Sequence, residues 1–131
     1  MKTIITSVKI PKSLELLLNI AVIDEGYGMR GKTRWVISAI DNFVKLPNYV
    51  ELVDIANDIE SLDTTMSIRI NDEIIKALDN AVIDVRRHYP AMEGVQSNII
   101  RASILQKLIR KKCSVTEQWD NYLFLFYLFI L

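Results

Sequence analysis

Cysteine, histidine and an excess of either charge are all missing or nearly so from this chain of 131 residues. Cys113 is the one cysteine and His88 the one histidine. A single thiol closes no internal disulfide, and a lone imidazole without a second His or a cysteine pair at ligand spacing makes no metal site, so neither a metal nor a cofactor is expected. His88 reads as a solvated loop residue and Cys113 as incidental. The formal net charge is zero, which taken alone argues against a nucleic-acid partner, because such proteins usually carry surplus Lys and Arg. Lys2 is not followed by the apolar stretch of a secretory signal, and together with the lone cysteine this predicts a cytoplasmic protein. The uncharged apolar run at residues 122–131 is about half of the roughly 20 residues that cross a bilayer, so no transmembrane span is expected. No catalytic constellation is visible, and the chain reads as a non-enzyme.

What the chain does have is a repeat. Ser7-Val8-Lys9-Ile10 returns as Ser67-Ile68-Arg69-Ile70, and Ala21-Val22-Ile23-Asp24 returns unchanged as Ala81-Val82-Ile83-Asp84. The offset is sixty in both cases, with no gap between them. Residues 3–10 are rich in β-branched side chains and end in alternation, which predicts a short, half-buried strand. Pro11 suits a strand end or a first helical turn, and Leu14, Leu17, Leu18 and Ala21 then recur at helical spacing over residues 12–25. Gly26, Gly28 and Gly31 break the chain. Thr33 sits where a helix N-cap would be, ahead of the apolar positions Trp35, Val36, Ala39, Ile40 and Phe43, and the helix stops before Pro47. The second copy repeats this plan, with a strand at 65–70, Ile74, Ala77, Leu78 and Ala81 in its first helix, and Ser97 aligned with Thr33 at an offset of 64. Four extra residues are assigned to the loop that holds His88 and Pro90. Asp24 and Asp84 recur as helix-end residues and not as a catalytic pair.

The zero charge conceals an asymmetry. Residues 46–63 carry five acidic side chains, Glu51, Asp54, Asp58, Glu60 and Asp63, and no Lys or Arg, leaving sixteen basic against eleven acidic residues elsewhere. Val50, Val53, Ala56 or Asn57, and Ile59 recur over residues 48–62 at near-helical spacing, so the connector is expected to be a short amphipathic helix. The domain plan is repeat one at 1–46, an acidic connector at 47–63, repeat two at 64–112 and a hydrophobic tail at 113–131.

One strand per copy leaves backbone donors and acceptors unpaired, and the nearest partner of equal length is the strand of the other copy. An antiparallel pair buries Val8, Ile10, Ile68 and Ile70 on the helices and displays Ser7, Lys9, Ser67 and Arg69. A ribbon of that width fits the DNA major groove. The fold class is therefore mainly α with one short two-stranded antiparallel ribbon, the copies making a pseudo-dimer within one chain.

In these residues the chain resembles the ribbon-helix-helix DNA-binding proteins, of the Arc and MetJ kind, in which two such units intertwine. Gln96-Ser97-Asn98-Ile99-Ile100-Arg101-Ala102-Ser103-Ile104 is similar to that family's second-helix opening. Thr33-Arg34-Trp35-Val36-Ile37-Ser38-Ala39-Ile40 is a looser version, departing at Trp35 and Ile37. Two units in one chain resemble the TraY-type accessory proteins of conjugative plasmid relaxosomes. The resemblance implies base contacts from Ile5, Ser7, Lys9, Thr65, Ser67 and Arg69, and phosphate contacts at the second-helix starts from Lys32, Thr33, Arg34, Gln96, Ser97 and Asn98. Arginine donates two parallel bonds to a guanine edge, lysine reaches the same acceptors less rigidly, and helix N-termini attract anions. The partner so implied is double-stranded DNA at an asymmetric site, since the copies present unlike residues. Protein partners in a nucleoprotein complex and further self-association on DNA are also implied, in plasmid transfer, plasmid maintenance or transcription control.

Two rival readings stand beside this one. The ribbon fold can serve as a protein-interaction or antitoxin-like assembly module. More distantly, Gly26-Tyr27-Gly28-Met29-Arg30-Gly31-Lys32-Thr33 matches the nucleotide-binding pattern GxxxxGK[ST], with residues 17–24 as the strand such a loop needs. The second copy has the same Ala-Val-Ile-Asp and no such loop, which favours a glycine-rich turn between helices. The tail at 113–131 has no counterpart, and packing on the helices, docking a partner or lying at a membrane surface all remain open for it.

Overall fold

Thr3–Ile10 and Thr64–Asn71 form strands β1 and β2, paired antiparallel with Ser7 opposite Ser67. The register follows the repeat. Ile5 faces Arg69 and Lys9 faces Thr65, so exchanging the two copies at an offset of sixty leaves the pairing unchanged, about an axis between the two serines. Alternation decides the faces, because successive side chains point to opposite sides of a strand. Val8, Ile10, Met66, Ile68 and Ile70 are buried, whereas Thr3, Ile5, Ser7, Lys9, Thr65, Ser67 and Arg69 are exposed.

The computed structural model describes residues 3–28, 31–59 and 61–113. Among them lie five helices: α1 (Lys12–Asp24), α2 (Lys32–Phe43), α3 (Tyr49–Ala56), α4 (Asp72–His88) and α5 (Val95–Cys113). The expected mainly helical chain with one two-stranded antiparallel ribbon is what is found. The tail at residues 114–131 lies outside the described residues. No helix among those described is long and apolar enough to cross a membrane.

The helices pack across the copies. α2 lies against β2 and α4, α5 against β1 and α1, and α2 and α5 against each other. Trp35, Ile40 and Phe43 of α2 and Ile99, Ile100 and Ile104 of α5 meet Leu14, Leu18, Ile68, Ile70 and Leu78 in one core, all fully buried. Burying a large aliphatic or aromatic side chain contributes about 1.5–3 kcal/mol, and neither copy alone supplies enough of them. The connector helix α3 buries Leu52, Val53 and Ala56 against α5 and α4.

Helix ends depart from the sequence expectation in two ways. Gly31, and not Thr33, precedes the first residue of α2, and no side chain caps that helix. A Cβ at position 31 would collide with the backbone and Cβ of Tyr27, so only glycine fits there. Ser97 likewise lies within the first turn of α5, which begins at Val95. The extra residues of the second copy lengthen α4 and not the loop. α1 ends at Asp24, with Gly26 in the left-handed region at φ 79°, whereas Val85, Arg86, Arg87 and His88 carry the helix on past Asp84. Glycine stops the first helix, and its absence lets the second continue. The second-helix starts are thus offset by 63 residues, against the 64 expected.

Candidate functional site

Ribbon register brings residues of different copies together on the outward face. Ile5 and Arg69 share one end, Lys9 and Thr65 the other, with Ser7 Oγ and Ser67 Oγ 3.3 Å apart between them. No hydrogen bond or ion pair among the described residues engages the side chains of Lys9 or Arg69. Four residues of strand separate the two ends, roughly 13 Å at about 3.3 Å per residue, and close to four base-pair steps of about 3.4 Å. All six ribbon residues expected to contact bases therefore lie on one exposed face. Ile5, 65% exposed, is the exception in kind: an apolar side chain held in solvent beside a cation.

The residues expected at phosphate are more scattered in situation. Arg34 is exposed, donates from Nη2 to the Tyr27 carbonyl at 3.3 Å and stands 5.6 Å from the Tyr27 ring centroid. Lys32 is half-buried, with its Nζ 4.0 Å from Glu15. Thr33, Gln96 and Ser97 are half-buried in the first turns of their helices. Asn98 does not fit the role. It is 2% exposed, and its side chain donates to Asn57 Oδ1 at 2.7 Å and to the Glu93 carbonyl at 3.3 Å, while its amide donates to the Gly94 carbonyl at 2.9 Å. Its polar groups are consumed inside the fold. The two helix starts therefore differ in charge, Lys32 and Arg34 at one against Gln96 and Ser97 at the other.

A polar network beneath the ribbon escaped the sequence reading. Arg101 is 6% exposed and donates from Nη1 to the Lys9 carbonyl at 2.9 Å and from Nη2 to Asn98 Oδ1. Burial lowers its pKa from the ordinary arginine value. A chain of bonds thus runs from the end of α3 through α5 to the backbone of the Lys9 end of the ribbon. The second network is aromatic. Lys107 Nζ stands 4.4 Å from the Trp35 ring centroid and 5.3 Å from that of Tyr27, and Trp35 Nε1 donates to Glu25 Oε2 at 2.8 Å. Trp35 fits because its ring fills the core and its N–H finds a carboxylate.

The nucleotide-loop reading is overturned. Its pattern requires a strand before the glycines, and that segment is α1. Among the described residues no group of three or more His, Cys, Asp or Glu is placed to hold a metal ion. Compared with models of known families, with curated proteins and with solved structures, the chain matches none.

Proposed function

We propose that the chain is a non-enzymatic, sequence-specific binder of double-stranded DNA, a tandem ribbon-helix-helix unit whose two copies form a pseudo-dimer within one chain. The observation that carries the reading is the outward ribbon face, where six exposed side chains sit in register about the Ser7–Ser67 pair, with a cation at each end that no described residue engages. A ribbon of two strands enters the major groove, and four base-pair steps separate its two cationic ends. On this reading each half-site meets one residue from each copy. Ile5 and Arg69 suit a thymine methyl beside a guanine, and Lys9 with Thr65 makes a more permissive end. The DNA site is accordingly asymmetric. Lys32 and Arg34 at the start of α2 attract phosphate more strongly than Gln96 and Ser97 at the start of α5. Marking or bending a site for a nucleoprotein complex or repressing a promoter are both uses such binding allows.

The test is footprinting on the DNA that flanks the protein's own coding sequence, with Lys9→Ala and Arg69→Ala beside the parent chain. A steep loss of affinity with added salt, and weakening by both substitutions, supports the reading. Unchanged binding in both variants removes the ribbon assignment. No binding at low salt turns the reading to the protein-interaction module.

A further inference from the structure

Where α2 and α5 pack together, two rows of side chains leave a cavity of about 200 Å³ between them. α2 and the residues just after it supply Ala39, Phe43 and Leu46, and α5 supplies Ser103, Lys107 and Arg110. Both rows step along the chain by four and then by three, the spacing of one helix face. Ala39 and Ser103 are buried, and their small side chains fill little of the joint. Two identical copies would line such a joint with the same row twice. These copies line it with Phe43 and Leu46 on one side and Lys107 and Arg110 on the other.

The cavity is therefore apolar along one wall and cationic along the other. Phe43 is buried and Leu46 half-buried, while Asn42 and Arg110 are exposed and form the rim. Lys107 Nζ rests against the Trp35 and Tyr27 rings and donates to the Trp35 carbonyl at 3.4 Å, contacts that hold the ammonium in place without cancelling its charge. No ion pair among the described residues engages Lys107 or Arg110. Glu25, the carboxylate on the wall, accepts from Trp35 Nε1 at 2.8 Å. Two cations thus stand against one anion, and a ligand that brings a negative charge on an apolar body matches the lining.

We propose that this cavity is a binding site for a small amphipathic anion, a carboxylate carried on a single ring or a short branched chain. Size sets the class. A volume of about 200 Å³ exceeds the roughly 150 Å³ of an apolar cavity that admits benzene, and falls short of the roughly 300–1,000 Å³ that drug-sized ligands take. The apolar body lies against Phe43 and Leu46, and the carboxylate accepts from the Lys107 ammonium and from two parallel N–H donors of Arg110. A ligand of the same shape without the charge forgoes both cations. Bound there, the ligand touches both copies at once. The site uses no ribbon residue and stands apart from what the ribbon binds.

Titrating the full chain with phenylacetate, isovalerate and phenylacetamide, followed through amide chemical shifts, tests the proposal. The two carboxylates are expected to shift the amides of residues 39–46 and 103–110 saturably, and phenylacetamide to bind about tenfold or more weakly than phenylacetate. Arg110→Gln, at an exposed position, and Lys107→Met, which keeps an apolar stem on the two rings, should each weaken phenylacetate binding by about tenfold while the amides of β1 and β2 keep their shifts. Lys9→Ala, on the ribbon, should leave that affinity unchanged. Failure of both carboxylates to saturate by about 10 mM overturns the proposal. So do equal affinities for phenylacetate and phenylacetamide, shifts centred outside these two segments, or binding that neither Arg110→Gln nor Lys107→Met alters.

Discussion

The two second helices hold corresponding places in the repeat and lie in different surroundings. α2 leaves Ile37 and Ser38 half exposed, whereas α5 buries their counterparts Ile100 and Arg101. The connector is part of the difference: α3 lies on α5 and α4, and Asn57, just past its end, accepts from Asn98, whose Oδ1 accepts in turn from Arg101. A repeat therefore does not make equivalent environments. Once one copy receives an extra layer, its second helix becomes the central element of the fold, and polar groups on it must be satisfied internally.

The largest effect that would break this comparison is at Arg101. Arg101→Ala leaves the Lys9 carbonyl and Asn98 Oδ1 without their donor inside the fold, and should cost about 3 kcal/mol in denaturant-measured stability. Ser38→Ala, at the corresponding place on α2, should change stability by less than about 0.5 kcal/mol. Equal costs would mean that the two helices are equivalent after all.

Next in size is the contrast between the ribbon ends. Arg69→Ala should weaken binding to the preferred site by roughly 10- to 100-fold and relax the base choice at one position. Lys9→Ala should weaken it less, and reduce the slope of log affinity against log salt by about one. Exchanging the two, Lys9→Arg with Arg69→Lys, should reverse which half-site tolerates substitution. A symmetric loss from both single variants would contradict two unlike ends.

Much of this arrangement is legible in the chain because the strands obey a period of two and the first helices repeat without a gap. The helix starts were not. Thr33 and Ser97 have the side chains of N-caps, yet Gly31 precedes one helix, where a Cβ would collide with Tyr27, and Gly94, at a positive φ of 60°, accepts the first-turn amide of the other. Asn98 reads as a phosphate contact from its place near a helix start, and Arg101 stands in the same motif with no role of its own. Their partners, Asn57 and Lys9, are 41 and 92 positions away, beyond any local pattern. Where sequence and fold agree, the information is periodic; where they part, it lies in contacts between distant segments.

The helix entries carry a smaller prediction. Asn71 caps α4, its side-chain oxygen accepting from the Ile74 amide at 3.0 Å, while its counterpart Pro11 precedes α1 with no side-chain bond. Asn71→Ala should cost about 1 kcal/mol and Asn71→Asp should restore most of it. A loss that Asp does not rescue would assign Asn71 to strand pairing instead.

An effect of similar size tests what holds the extra layer in place. Burial first, and then the bond to Asp84 and the charge of that carboxylate, raise the Tyr49 phenol above its ordinary value of 10.0. A raised folded pKa means that the unfolded chain surrenders this proton first. Its contribution to stability is whole below pH 10 and is lost as pH climbs from there toward the folded value. Tyr49→Phe should therefore cost about 1 kcal/mol at neutral pH, and its stability should fall less steeply than the parent's above pH 10, as chemical denaturation at stepped pH would record. Parallel curves would mean that the Tyr49–Asp84 bond does not pin α3 to α4. The burial of α5 that separates it from α2 would then need another cause, with the apolar contacts of Leu52 and Val53 the next to remove.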